Sequence, residues 1–191
     1  MYTNIIFLII FAALWSGIEI FLIVKDKVLS KGTVTIDRNS RFLNVLSVTI
    51  SLFSPLIMFI IPRANISNHS LFALLFIGLL TLLSGMFVRY WAICTLGNSF
   101  RTTVEIETEQ KIIETGPYKF IRHPAYTGII LFCIGYGLLS QNWLSLLISL
   151  LLPASALLYR IHIEEQAFVD IIGDEYRKYQ LKTKKLIPWV W

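Results

Sequence analysis

Five apolar stretches, Ile5–Val24, Phe42–Ile61, Leu71–Leu96, Ala125–Leu139 and Trp143–Tyr159, leave this chain little choice of solvent. At about 1.5 Å of helix per residue the first three are long enough to cross a hydrocarbon core of about 30 Å. The fourth amounts to about 22 Å of helix. It is joined to the fifth by Ser140-Gln141-Asn142, so the two read as a tight helical hairpin in locally thinned bilayer. With 55% of residues hydrophobic and only 15% charged, the chain could not cover a water-facing surface. The expected fold class is therefore all-α, a polytopic membrane protein with five transmembrane helices. The first stretch lacks a basic leader and an A-x-A-like cleavage site and contains Glu19, so it reads as a retained span and not a signal peptide.

The charges cluster at the ends of these stretches. Lys25, Lys27, Lys31, Arg38 and Arg41 follow the first; Arg101, Lys111, Lys119 and Arg122 follow the third; Arg160 and the tail hold the rest. Of 17 Lys and Arg, only Arg63 falls on the other side, and Arg89 lies within a span near its cytoplasmic end. The positive-inside rule then puts the N-terminus outside and the C-terminus in the cytoplasm, of a plasma membrane in a prokaryote or of the endoplasmic reticulum in a eukaryote. This placement also accounts for the net charge of +5 without a nucleic-acid partner. Cys94 and Cys133 sit in apolar runs and the three His are scattered, so neither a disulfide framework nor a metal site is expected. Residues 1–96 form an N-terminal three-span region, and residues 97–191 a C-terminal region whose two polar segments share the cytoplasmic face.

Chemistry is concentrated in that second region. In YKFIRHPAYTG, Pro124 suits the first turn of a helix, His123 its cap and Arg122 the residue before it. Such an end favours an anionic group. Tyr126 offers an aromatic face with a hydroxyl, and Gly128 permits close backbone approach. In YRIHIEEQ, Arg160 and Glu164 share a helical face while Glu165 points about 100° away. The hairpin brings the two clusters side by side, where they could hold a zwitterionic cofactor. Glu19 reads as a snorkelling or partnered acid, Arg89 as a snorkelling base, Pro55 and Pro153 as kinks, and Trp189 and Trp191 as interfacial aromatics. The acids of VEIETEQ read as a solvated loop. There is no G-x-G-x-x-G after a strand, hence no Rossmann core, and no Ser/His/Asp or Cys/His set that would suit a hydrolase.

GPYKFIRHPAYTG, followed by EEQAFVDIIGDEYRKYQ and a closing LIP, resembles the isoprenylcysteine carboxyl methyltransferase family, itself similar to the phospholipid N-methyltransferases. The resemblance covers roughly residues 96–188; the N-terminal spans match only in hydropathy. It implies an integral membrane methyltransferase that uses S-adenosylmethionine at the cytoplasmic face. It further implies a lipophilic acceptor entering from the bilayer among membrane lipids, most simply a carboxylate such as that of a prenylated cysteine. Carried over by position, Tyr118, His123, Pro124, Ala125 and Tyr126 would line the cofactor pocket, Glu164 would bind the cofactor, and Gln110, Lys111, Ile112 and Ile113 would form its floor. Arg160 would hold the carboxylate being methylated, and Glu165 would complete an acidic pair.

The animal isoprenylcysteine enzymes carry extra N-terminal spans, so the acceptor is not inherited with the motif. Phospholipid N-methylation is one alternative. The NADPH-dependent membrane sterol and enoyl reductases are another, since they share a similar HPxYxG segment. In that group an acid commonly follows the Gly and an Arg-Asp pair replaces Glu-Glu, whereas this chain has Ile129 and an intact Glu164-Glu165.

Overall fold

The computed structural model describes residues 2–29, 39–61, 66, 71–102 and 112–188. Among the described residues seven α-helices follow in order: α1 (Tyr2–Leu29), α2 (Asn39–Phe53), α3 (Ile57–Ile60), α4 (Leu71–Leu96), α5 (Pro124–Leu139), α6 (Trp143–Ile172) and α7 (Asp174–Lys182). Among the described residues the β pairing is confined to one isolated bridge between Ile121 and Lys184. Three helices, within α1, α4 and α6, are long and apolar enough to cross a membrane, and α5 is a shorter apolar helix. The chain is an integral membrane protein, with Ile9, Phe21, Phe72, Phe87 and Leu151 among the large apolar side chains left on its outside.

The expected second span is not one rod. Pro55 cannot donate to the carbonyl four residues back, and α2 stops at Phe53 in a 3-10 turn, Ser54–Leu56, before the short α3. In a bilayer the freed carbonyl needs a donor. Ser54 Oγ donates to Ser51 O at 2.7 Å and lies 2.7 Å from Ser145 Oγ and 3.0 Å from Ser149 Oγ on α6. The Tyr136 hydroxyl of α5 donates to Leu52 O at 3.0 Å. The break is thus stitched to the hairpin by side-chain hydrogen bonds, as polar residues join helices in lipid. Pro153, by contrast, sits inside α6 without ending it.

Helices α4 and α5 pack backbone to backbone. Gly78 faces Gly135 and Gly85 faces Gly128, the two on each helix seven residues apart, and a Cβ at Gly85, Gly128 or Gly135 would overlap the facing backbone. One on Gly128 would lie 2.7 Å from Arg89 Cβ and N; one on Gly85 would strike the Phe132 amide nitrogen, and one on Gly135 that of Leu82. Small residues at that spacing allow close contact where the hydrophobic effect offers no drive. The Trp15 ring of α1 stacks on Phe132 of α5 at 3.9 Å.

The hairpin turns where expected, with Asn142 capping α6 by accepting from Ser145 N at 3.0 Å. Helix α6 then runs on past Tyr159 to Ile172, carrying Arg160, Glu164 and Glu165 on rigid helix. Gly173, at φ 72°, reverses the chain into α7. Beyond α7 the tail returns to the start of α5. Arg122 N donates to Lys184 O at 2.8 Å, His123 N to Lys185 O at 3.1 Å, and Thr127 Oγ1 to Leu186 O at 2.8 Å.

Candidate functional site

Pro124 occupies the first turn of α5 and His123 its cap position, but the His123 side chain makes no capping hydrogen bond. Its ring turns to α6 instead. Nδ1 lies 3.5 Å from Glu164 Oε2 and Nε2 lies 3.4 Å from Glu165 Oε1. One turn further on, the Tyr126 ring stacks on His123 at 5.5 Å between centroids. The Tyr126 hydroxyl donates to Glu164 Oε1 and accepts from Arg160 Nε at 2.7 Å.

Arg160 and Glu164 do share a face, with Nε 3.3 Å from Oε1, but they are not a surface pair. The Arg160 side chain is 3% exposed. Its guanidinium sits 5.9 Å from the Tyr126 ring centroid, and Nη1 and Nη2 donate to Ser40 Oγ at 3.4 Å and to Thr102 O at 2.8 Å. A buried cation of this kind is tolerable because its donors are taken. Thr102 is fixed in turn by Asp26 at the end of α1, whose Oδ2 accepts from Thr102 N at 3.0 Å and from its hydroxyl.

A cavity opens over this cluster. Ile112, Ile113, Tyr118, His123, Ala125, Tyr126, Arg160 and Glu164 all line it, which brings together eight of the residues singled out in the sequence. Pro124 is fully buried beside it without lining it. Glu165 also lies off the cavity wall, held by Arg122 Nε at 2.8 Å and Lys185 Nζ at 3.3 Å. Arg122 Nη1 also donates to Thr183 O at 2.5 Å, so Glu165 and Arg122 clamp the tail against α5. Gln110 and Lys111 lie outside the described residues, as do Trp189 and Trp191 and the acids of VEIETEQ.

The structure adds wall residues that the motifs did not flag. Phe100, Phe168, Tyr176 and Tyr179 join Tyr118 in lining the cavity. Tyr176 stacks on Phe168 at 4.9 Å, and the Tyr179 hydroxyl donates to Tyr118 O at 2.7 Å. Burial raises the pKa of Tyr118, Tyr176 and Tyr179, so this wall is aromatic and uncharged at neutral pH. Glu19, Arg41, Asn44 and Arg89, from α1, α2 and α4, line the cavity as well. Arg89 does not snorkel out. It is buried, with Nη2 2.6 Å from Glu19 Oε1, Nη1 donating to Ala125 O at 3.3 Å, and its guanidinium 5.4 Å from the Trp15 ring centroid. Two opposite charges inside spans were the signal for this pair, because isolated ionisable groups are costly there.

The arrangement is an amphipathic chamber in a membrane protein, walled by aromatics together with five arginines and two acids. Residues 76–170 match the sequence model of the isoprenylcysteine carboxyl methyltransferase (ICMT) family. Over that region the chain carries the sequence pattern of the family. It is similar to the protein-S-isoprenylcysteine O-methyltransferase of Saccharomyces cerevisiae, with 32% identity over 136 residues, 69% of this chain and 57% of the yeast protein. It is also similar to a probable protein-S-isoprenylcysteine O-methyltransferase of Oryza sativa subsp. indica, with 30% identity over 117 residues, 60% of this chain and 61% of the rice protein. The chain therefore spans about three fifths of the curated relatives it matches. In three dimensions it resembles the solved structure of the eukaryotic intramembrane Ras methyltransferase ICMT, with a TM-score of 0.66 over 94% of this chain and 65% of that one. Identity there is 21%, so the likeness speaks for the fold.

Proposed function

We propose that this protein is an S-adenosylmethionine-dependent methyltransferase that esterifies a lipophilic carboxylate, of which a prenylated cysteine is the model. The observation that carries the reading is the Tyr126–Glu164–Arg160 cluster, which places a fixed anion and a fixed cation against one cavity between α5 and α6. The charge pattern of the sequence puts this end of the bundle in the cytoplasm, with the N-terminus outside. A soluble cofactor would enter there and a tail-bearing acceptor sideways from lipid.

The residues suit such a cofactor. Glu164 presents a carboxylate for its ammonium or sulfonium charge, and the neutral aromatic wall around Tyr118 suits an adenine. His123, Ala125, Ile112 and Ile113 line the same space, while Pro124 sets the helix start that aims it. Gln110 and Lys111 belong to the same floor in this reading. When bound, S-adenosylmethionine supplies a methyl group activated by its sulfonium. An acceptor carboxylate is already ionised at neutral pH, so no residue has to act as a general base. What the protein must supply is alignment and exclusion of water. Arg160 would hold the acceptor by exchanging a neutral partner, the Thr102 carbonyl or Ser40 hydroxyl, for the carboxylate, and a charge-assisted bond is the stronger of the two. Glu165 acts as a positioning residue, holding His123 and Arg122 while the tail is tied down.

Calorimetric titration of the detergent-purified protein with S-adenosylmethionine, and separately with NADPH, tests this. Saturable binding of S-adenosylmethionine is expected, weakened about tenfold or more by Glu164→Ala, on the scale of a lost charged contact. Binding of NADPH alone would move the protein to the reductases.

A further inference from the structure

Where the tail crosses the start of α5, three large apolar side chains lie outside the bundle: Phe120 at 47% exposed, Ile187 at 52% and Leu181 at 90%. Leu181 is out of place on α7, whose other residues are polar or aromatic. It comes two residues after the buried Tyr179, about 200° round the helix, so it points away from the bundle. The backbone ties the three to one place. Lys184 N donates to Phe120 O at 3.2 Å, and the Thr127 hydroxyl holds Leu186 O, just before Ile187, against the first turns of α5. Helix α5 is apolar from its start, so the patch stands at the level where the chain enters lipid. Charge is sorted to match. Helix α7 begins with Asp174 and Glu175, beside Gly173 at the far end of α6. It ends with Lys178 one turn before Leu181 and Lys182 next to it, while Lys119 and Lys184 flank Phe120; all four lysines are exposed. Glu114 reaches Lys182 at 3.3 Å as an exposed pair, which is weak. A helix dipole favours acids first and bases last, but it gives no reason for an exposed leucine among lysines.

We propose that this patch docks on anionic phospholipid of the leaflet that α5 enters, with Leu181 among the acyl chains and the lysines at the phosphates, and that the contact holds α7 against the cavity. An apolar side chain ringed by lysines suits a negatively charged lipid surface, where apolar burial and headgroup attraction act together. A second copy of the chain would bring the same lysines against each other, whereas the leaflet is already present at this depth. The opposite face of α7 carries Tyr176 and Tyr179, which line the cavity, and the Tyr179 hydroxyl donates to Tyr118 O at 2.7 Å. With lipid on one side and the cavity on the other, α7 links the leaflet to donor binding. That link rests on the S-adenosylmethionine reading above; the lipid contact does not.

The test uses the full chain with the exposed Cys94 changed to Ser, leaving Cys133 buried. A nitrobenzoxadiazole label is placed on Leu181→Cys or, as a control at the other end of α7, on Glu175→Cys. Nanodiscs are made from phosphatidylcholine alone or from equal parts phosphatidylcholine and phosphatidylglycerol, each with some headgroups carrying a nitroxide quencher. Quenching at position 181 is expected to be about twofold or more stronger in the anionic discs. The excess is expected to vanish when Lys119→Gln, Lys178→Gln, Lys182→Gln and Lys184→Gln are combined, and the label at position 175 to stay bright in both lipids. The unlabelled wild type is expected to bind S-adenosylmethionine about fivefold or more tightly in the anionic discs. Equal quenching in the two lipids, none at position 181, or quenching at position 175 as strong as at 181 would overturn the lipid contact. Shielding of position 181 from aqueous iodide only in discs that hold two chains would give the patch to a second copy and overturn it as well. Lipid-dependent quenching with equal donor affinity in both lipids would overturn the link to the cavity. The same quenching in a protein that takes no S-adenosylmethionine in either lipid would overturn the cofactor reading and leave the contact standing.

Discussion

Arg160→Lys is expected to lower kcat/KM for the acceptor by about 100- to 1000-fold, equivalent to about 3–4 kcal/mol of lost transition-state binding. The substitution keeps a cation beside Glu164, so the acid is not stranded in a buried site. What it removes is the planar fork. Arg160 reaches Tyr126 and Glu164 with Nε, Ser40 with Nη1 and Thr102 with Nη2, four partners around a planar fork that one ammonium cannot reach at once. A bidentate or steered grip on a carboxylate would be lost with it, and misplacement of the acceptor by a fraction of an ångström is costly to an in-line transfer. S-adenosylmethionine affinity is expected to fall by less than about tenfold, because Glu164 and the aromatic wall stay in place. Steady-state kinetics in nanodiscs with donor and acceptor varied separately will show the split. Acceptor kcat/KM within about threefold of wild type would remove Arg160 from the acceptor site.

The largest effect on stability is expected at the α4–α5 seam. An alanine at position 135 puts its Cβ against the Leu82 amide nitrogen and 2.6 Å from Gly78 O, backbone atoms that no rotamer change can move. The helices must part, which separates α5 from α4 along the wall that carries Arg89 and Ala125. Overpacking of this kind costs about 1–3 kcal/mol in soluble cores, and the rigid neighbours argue for the upper end. A fall in melting temperature of roughly 5–10 °C in detergent is expected for a chain of this size, with loss of S-adenosylmethionine binding. Gly17→Ala is the matched control. Nothing lies within 4 Å of a Cβ there, and α1 has no turn or positive φ at that position. It is expected to be neutral or stabilising by up to about 1 kcal/mol. Equal melting temperatures for the two variants would contradict the close backbone contact.

Much of this was legible beforehand, for identifiable reasons. The hairpin at Ser140-Gln141-Asn142 and the start of α5 at Pro124 follow from short polar turns and proline chemistry, which act locally. Clustering of the α5 cap with Arg160 and Glu164 then follows from the hairpin. Other features needed three-dimensional information. Glycines at 78, 85, 128 and 135 show their seven-residue spacing in the sequence, but only contact reveals that the two pairs face each other. Pro55 reads as a kink, whereas the structure breaks the helix there, because Ser54, Ser149 of α6 and Tyr136 donate to the carbonyls a break exposes. Pairing of Arg122 and His123 with Lys184 and Lys185 is backbone to backbone and leaves no side-chain signature. Arg89 reads as a snorkelling base and is instead paired, and the two look alike in sequence until Glu19 is seen beside it. Asn44 carried no signal at all, since a lone amide in an apolar run has many structural uses.

The most direct test is transfer of a labelled methyl group from S-adenosylmethionine to N-acetyl-S-farnesylcysteine by the wild-type protein in nanodiscs, followed by mild alkali. A carboxyl methyl ester releases its label as methanol, whereas a methylated amine or thioether keeps it. The account predicts donor-dependent incorporation that alkali releases and that Arg160→Lys nearly abolishes. Label that is incorporated but resists alkali would contradict carboxylate methylation and point to an amine or sulfur acceptor. No incorporation by a sample that binds both ligands would contradict methyl transfer to this class of acceptor.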